Sequence, residues 1–366
     1  MEGITQSTQR LNRPSIGGMK LGLNGPQKKL SLWAPATPVK EIITRPGMDA
    51  SFIGQAITGR FCRDAGSGAY GTVEIRKAPA GCGHETLAIK SSCTESYDSV
   101  KEEAAVGITL DHKHLMKYYG YQLETVPAGA GIKKTASIVM PAMASTLEKR
   151  FEDGADNTSE KEIAGLLCEL ASALEYLHGR GMIHSDLKWD NAFLDKEGRV
   201  ILGDFGRTGT STRFLDCFNP SYPPEMVPFA RGGDCLSTGS ESSPSSSHNG
   251  SGDSGYSDHN VLDANEPGAV KTGINYSSDI YCLGVIASKM VLGKNAPYAW
   301  SMDKDAETGF SSKDESYKVV DAMGAKLPAT LASKQLIELV GDCLKFDPQS
   351  RPDIREVSRR LEDITG

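Results

Sequence analysis

In the stretch GSGAYGTVEIRK, Gly66 to Lys77, a glycine-rich turn runs directly into a β-branched strand pattern instead of into a helix. That order points away from the dinucleotide-binding βαβ unit, whose glycines open a helix, and towards a strand-turn-strand hairpin. Glycines spaced GxGxxGxV serve either as a plain hairpin turn or as a place where backbone N–H groups approach nucleotide phosphates, with Val73 covering the base. Around the hairpin, ITGRFC, GTVEIRK and ETLAIKS alternate with Gly-rich turns and predict an antiparallel meander.

The pattern then changes along the chain. YDSVKEEAAVGITL, residues 97–110, brings Val100, Ala104 and Leu110 near one helical face, and LMKYYGYQLE and KKTASIVM read as two further strands. From residue 158, SEKEIAGLLCELASALEYLHGRG carries Ile163, Leu166, Leu167, Leu170, Leu174 and Leu177 at helical spacing and stops at Gly179 to Gly181. Further helices are predicted near residues 277–292, 331–345 and 351–363. The expected fold is α+β: a small antiparallel β-rich lobe with one helix, about residues 57–141, then a mainly helical lobe, about 145–365.

Two segments are expected to stand outside that core. Residues 1–50 are rich in Ser, Thr, Asn, Gln, Gly and Pro and poor in acids, which predicts a flexible leader. Residues 230–265 are dominated by Ser and Gly and bury too little apolar surface to offset their ordering entropy, so a disordered insert is predicted.

The net charge of -7, with both signs mixed throughout, supplies no basic face for nucleic acid or anionic membrane. No run is apolar and long enough to span a bilayer. The 8 cysteines follow no CxxC spacing, which points away from a disulfide framework and towards a reducing, cytoplasmic setting. Cys82 and His84 in AGCGHE lack a second ligand pair at zinc spacing, and read as a Gly-rich turn.

Lys90 ends the strand LAIK, and the predicted helix beyond it carries Glu102 and Glu103. A strand lysine is commonly a solvated charge; here its place between the glycine turn and an acidic helix suits an ion pair that aims the ammonium at phosphate oxygens. HSDLKWDN, His184 to Asn191, and GDFG, Gly203 to Gly206, follow in order. With YPPEM, SDIYCLG and DPQSRP further on, this series resembles the HRDLKxxN, DFG, APE and DxWxxG motifs of eukaryotic-type protein kinases, over about residues 58–365.

The resemblance implies a bilobal kinase fold and a role for each matched residue. Asp186 would accept or orient the substrate hydroxyl proton, Lys188 would neutralise the transferred phosphoryl group, and Asn191 and Asp204 would hold Mg2+, or Mn2+ in its place. Lys90, paired with Glu103, would grip the ATP phosphates; DHKHLMKYYG, similar to the stretch after the family's regulatory helix, favours Glu103 over Glu102. That register places Gly107 where a larger spine residue usually packs. Gly66, Ser67, Gly68, Ala69, Gly71, Val73 and Ala88 would surround the nucleotide, with Met140 as gatekeeper and Ala142 and Met143 at the hinge. Glu225 and Arg351 would form a buried structural pair.

Two positions depart from the family pattern. Ser185 stands where many kinases carry an arginine that grips an activation-loop phosphate, a bidentate contact serine cannot make. Phe218 stands where a threonine usually contacts the catalytic Asp and Lys. Lys188 in DLK favours Ser/Thr over tyrosine specificity. The expected function is therefore phosphoryl transfer from Mg-ATP to protein Ser/Thr hydroxyls, with a nucleotide-binding pseudokinase scaffold or a small-molecule kinase as alternatives. The leader fits either an ordinary tail or a delivery signal similar to those of bacterial type III effectors.

Overall fold

A computed structural model describes residues 6–7, 38–68, 71–129, 131–155, 158–210, 221–226, 275–303 and 311–366. The chain divides into two compact units, Met1–Arg150 with Ser172–Gly209, and Phe151–Ala171 with Thr210–Gly366.

The first unit holds an antiparallel sheet made from β1 (Gln6–Ser7), β2 (Val39–Thr44), β3 (Phe61–Gly68), β4 (Gly71–Lys77), β5 (Thr86–Ser91), β6 (Gly120–Ala128) and β7 (Gly131–Pro141). Its strand order is β1-β2-β6-β7-β5-β4-β3. Two helices belong with it, α1 (Ala50–Thr58) and α2 (Tyr97–Gly107). Side chains alternate along a strand, so Leu87 and Ile89 of β5 share one face while Ala88 and Lys90 share the other. On the first face Leu87, Ile89, Tyr119 and Val139 pack with Ile53 and Ala56 of α1. Register carries the second face across the sheet: Val73 pairs with Lys90, Lys90 with Ile138, and Ala88 with Met140.

The fold class is the one expected, with α1 as a second helix beside the sheet. α1 has a sequence logic that its short length obscured: Asp49 caps it by accepting from Ser51 N–H at 2.9 Å, and Ile53 and Ala56 recur at helical spacing. The boundary of the leader is corrected at the same place. Within the 1–50 segment, Val39–Thr44 pairs along its whole length with β6, and Arg45 is buried, donating from Nε to Tyr118 O at 3.1 Å and from Nη1 to Asp111 Oδ1 at 2.9 Å. VKEIIT supplies half-buried β-branched side chains to a sheet edge, a pattern too short to stand out beside its polar neighbours. Residues 1–5, 8–37 and the 230–265 insert lie outside the described residues.

Strand and helix limits shift elsewhere. ITGRFC is divided between the end of α1 and the start of β3, and the strand expected from Leu115 begins at Gly120. Gly120 is a close-approach position, since a Cβ there would lie 2.6 Å from Ile43 O and 2.8 Å from Ile53 Cδ1. The lobe boundary expected near 141–145 is also not where the chain divides, because Ser172–Gly209 groups with the sheet. Short strands β8 (Ser145–Thr146), β9 (Ala192–Leu194) and β10 (Val200–Leu202) form a small antiparallel sheet there. It is tied to the segment after α2 by Met116 N–H to Leu202 O at 2.7 Å and Leu202 N–H to His114 O at 2.9 Å.

Helices α3 (Leu147–Arg150) and α4 (Glu160–His178) follow the sheet in sequence. The second unit is mainly helical, with α5 (Tyr276–Leu292), α6 (Ser316–Lys326), α7 (Leu331–Cys343), α8 (Ile354–Thr365) and a hairpin of β11 (Trp300–Asp303) and β12 (Ser311–Asp314). Asn275 and Ser278 close a capping box at the start of α5. Arg351, its side chain fully buried, grips Glu225 with two nitrogens at 2.6 and 3.0 Å, and Ser278 Oγ donates to the same carboxylate at 2.9 Å. Among the described residues no helix is long and apolar enough to cross a membrane.

Candidate active site

The buried face of α2 is set by Val100, Glu103, Ala104 and Gly107, at i, i+3, i+4 and i+7. Glu102 is exposed one step around the helix, whereas Glu103 is only 2% exposed. A carboxylate in that stripe requires a partner, and Lys90 from β5 donates to Glu103 Oε2 at 2.6 Å. The same ammonium reaches Asp204 Oδ1 at 3.3 Å. Burial pulls the Lys90 pKa down, but the charges of Glu103 and Asp204 outweigh it and the ammonium is held protonated. Burial raises Glu103 above the usual carboxylate range against the opposing pull of Lys90. For Asp204 the balance tips the other way: burial raises it, while the charge and hydrogen bond of Lys90 bring it below its ordinary value.

A second cluster forms on the loop between α4 and β9. Asn191 Nδ2 donates to both the backbone O and Oδ2 of Asp186, each at 3.0 Å. Lys188 Nζ lies 3.6 Å from Asp186 Oδ2 and 3.5 Å from Asp190 Oδ2. Burial lowers the Lys188 pKa, and the Asp186 and Asp190 charges more than restore it. His184 is fully buried and joins this loop to the start of GDFG: Asp186 N–H donates to Nδ1 at 3.3 Å, and Nε2 lies 3.2 Å from Gly203 O. That arrangement fixes the proton on Nε2. Gly203 N–H in turn donates to Asn191 O at 3.0 Å.

Among the described residues, non-glycine backbone strain falls in the HSDLKWDN loop and at the start of DFG. Ser185 and Asp204 are the non-glycine residues in left-handed conformation among those described, with φ of 64° and 62°. Each such position costs on the order of 1–3 kcal/mol and persists only where its surroundings over-determine it.

The remaining sequence-predicted residues fall as follows. Val73, Ala88, Lys90 and Met140 share a sheet face by register, and Ala88 and Met140 are buried. Gly66, Ser67, Gly68 and Gly71 form the β3–β4 hairpin arms, with Gly68 opposite Gly71; Ala69 lies outside the described residues, as does Phe218. Ala142 and Met143 line a groove of about 610 Å3 together with His112, Lys113 and Glu197, and none of Lys90, Asp186 or Asp204 lines it. Sequence reasoning missed Asp190, the second carboxylate at Lys188, and Tyr118, whose hydroxyl donates to Glu103 Oε1 at 2.6 Å. The unusual Gly107 was the available signal for Tyr118.

Asp204 and Asn191 also answer whether a divalent cation suits this site. Asp204 is held ionised, and Asn191 commits Nδ2 to Asp186, so its amide oxygen is the remaining polar atom. Two hard oxygen donors fit Mg2+ or Mn2+, which take one or two protein ligands beside substrate phosphates. Among the described residues no cluster of three or more His, Cys, Asp or Glu side chains forms a protein-only metal cage.

Comparison with known proteins reaches the same place. The family model for the protein kinase domain matches residues 60–216, which includes every residue of both clusters. The chain is 28% identical over 208 residues to Aurora/IPL1-related protein kinase 2 of Caenorhabditis elegans, covering 52% of this chain and 62% of that protein. It is 24% identical over 309 residues to serine/threonine-protein kinase Nek4 of Mus musculus, covering 82% of this chain and 32% of that protein. Aurora kinase C of Mus musculus is 22% identical over 275 residues, covering 72% and 77%. The chain thus spans less than two thirds of the length of the first two relatives. The motif order, the antiparallel sheet carrying Lys90 with the helix carrying Glu103, and this match agree on a eukaryotic-type protein kinase domain over residues 60–216.

Proposed function

We propose that the protein is a Ser/Thr protein kinase that transfers the γ-phosphoryl group of Mg-ATP to hydroxyls of protein substrates. The observation that carries this reading is the pairing of Lys90 with both Glu103 and Asp204 at 2.6 and 3.3 Å, which aims a protonated ammonium beside an ionised carboxylate. Lys90 binds the α- and β-phosphates, and Glu103 holds it in place. Asn191 and Asp204 would hold the divalent cation, which when bound would neutralise charge on the phosphates.

Asp186, fixed by Asn191, takes the proton of the substrate hydroxyl as the oxygen–phosphorus bond forms and the bond from the γ-phosphorus to its bridging oxygen breaks, releasing ADP. Lys188 places positive charge at the phosphoryl group in transit. The protein contribution is mostly position and electrostatics. Gly66, Ser67, Gly68 and Gly71 cover the phosphates, while Val73, Ala88 and Met140 enclose the base at the Ala142–Met143 hinge. A reducing, cytoplasmic setting goes with this reading. Ser185 removes the arginine that would read a loop phosphate, so control by activation-loop phosphorylation is not part of the proposal.

Transfer of radiolabel from Mg-ATP to the chain itself or to a generic basic protein tests it. The expected result is labelling by wild type and none by Asp186→Asn. Thermal stabilisation by nucleotide without any transfer would establish the pseudokinase reading instead, and equal labelling by the two proteins would trace the activity elsewhere.

A further inference from the structure

Lys90 uses one oxygen of Glu103, and the other is taken by Tyr118, whose hydroxyl donates to Oε1 at 2.6 Å. Tyr118 sits between α2 and β6 and is 1% exposed. Its ring centroid lies 5.4 Å from that of Phe205, which lies 6.1 Å from that of His184. One column of rings therefore runs from the Asp186 loop through the GDFG segment and ends at the Glu103 carboxylate.

The space for that column comes from α2. A Cβ added at Gly107 would overlap Cδ2 and Cε2 of Tyr118 and lie 3.0 Å from Cδ2 of Phe205. Glycine within a helix destabilises it relative to alanine, so its presence facing the largest ring of the column is a volume exchange: nothing at 107, a phenol at 118. Arg45 braces the same residue from the other side through the Tyr118 carbonyl, at 3.1 Å. Burial, and then the charge of Glu103, raises the Tyr118 pKa well above the ordinary phenol value, so the hydroxyl remains a donor.

We propose that Tyr118 is a positioning residue for the Lys90–Glu103 pair, and that Gly107 is the gap that admits it. The hydroxyl fixes the carboxylate that aims Lys90, and the ring makes that aim depend on the seating of Phe205. A purely apolar residue at 118 would fill the column but leave Glu103 Oε1 without this donor. The inference rests on the nucleotide-binding role proposed for Lys90, and its test uses a binding readout as well as turnover.

The full chain is compared with Tyr118→Phe, Gly107→Ala and the double variant Gly107→Ala/Tyr118→Leu, by calorimetric titration with Mg-ADP, by ATP kinetics and by thermal unfolding. Tyr118→Phe keeps the ring and loses the hydroxyl. Its affinity for Mg-ADP is expected to fall about tenfold, the scale of a lost charge-assisted hydrogen bond, with KM for ATP rising by the same factor and kcat falling less than about threefold. Gly107→Ala is expected to lower the unfolding temperature, and Tyr118→Leu to restore it in the double variant while affinity stays low. Where Gly107→Ala does not fold, folding of the double variant is the restoration.

Mg-ADP binding by Tyr118→Phe within twofold of wild type overturns the positioning role, and a double variant no more stable than Gly107→Ala overturns the exchange. A wild type that binds Mg-ADP without transferring phosphate sinks the kinase reading alone, and the affinity comparison still decides Tyr118. A wild type that binds no nucleotide overturns both.

Discussion

Position 103 shows how a single charge acquires its partners through where it is buried. Glu102 and Glu103 are chemically alike and adjacent, yet one faces solvent and the other lies in the apolar stripe of α2. Burial makes the Glu103 charge costly, so its carboxylate depends on Lys90 and Tyr118 as partners. Replacing Lys90 by Met removes the charge that draws the Glu103 pKa down, leaving burial to raise it further. The folded variant then binds a proton that the unfolded chain releases, so its stability should be greatest in mildly acidic buffer and decline as pH rises through the raised folded-state value. Denaturant titrations of wild type and Lys90→Met across that range measure this; parallel curves would show that Glu103 is not the group responsible. On the proposed function, in which the ammonium binds phosphate, labelling by Lys90→Met should fall on the order of a hundredfold or more.

At the scale of elements, β2 and α1 are part of the sheet unit although they precede the residues matched by the kinase family model. Ile53 is fully buried against Leu87, Ile89 and Val139, on the face opposite Lys90. Ile53→Ala should therefore cost about 2–5 kcal/mol, by lost transfer energy and a residual cavity, as read by denaturant unfolding. Truncation separates the two parts of the N-terminal segment. Removal of residues 1–37 takes the two-residue β1 pairing from β2 and should cost no more than about 1–2 kcal/mol, whereas removal of 1–59 should destabilise the protein by several kcal/mol, because Ile43, Arg45 and Ile53 leave together. Equal behaviour of the two truncations would show that β2 and α1 add nothing to the sheet. The β2 strand was hard to read because six residues with mixed exposure give few periods to count, while α1 is only two and a half turns long.

Across the whole molecule, the two units have their own anchors. In the second, Arg351 donates to Glu225 with two nitrogens, to backbone carbonyls of Lys345, Phe346 and Ser277, and lies 4.9 Å from the Tyr281 ring centroid. Loss of one partner leaves a buried charge uncompensated, so Arg351→Met should reduce stability by about 3–5 kcal/mol. Adding Glu225→Gln should recover part of that loss, since the orphaned charge is then gone; a double variant no more stable than Arg351→Met would place the cost in the backbone contacts instead.

The sequence by itself determined the order of the motifs that carry Lys90, Asp186, Lys188, Asn191 and Asp204, because those motifs are local, and helices α4, α5, α7 and α8 are legible because long periodic patterns survive local noise. It also marked Gly107 as out of place. Only the tertiary structure decided that Tyr118 occupies the gap over Gly107, that Arg45 reaches Leu110 and Tyr118, and that the sheet extends back to Val39. Each of these joins residues 11 to 86 apart in the chain, from Gly107 with Tyr118 to Val39 with Thr125. Spacing along the sequence carries no record of such volume exchanges, because the compensating side chain belongs to a different element and is selected by shape alone.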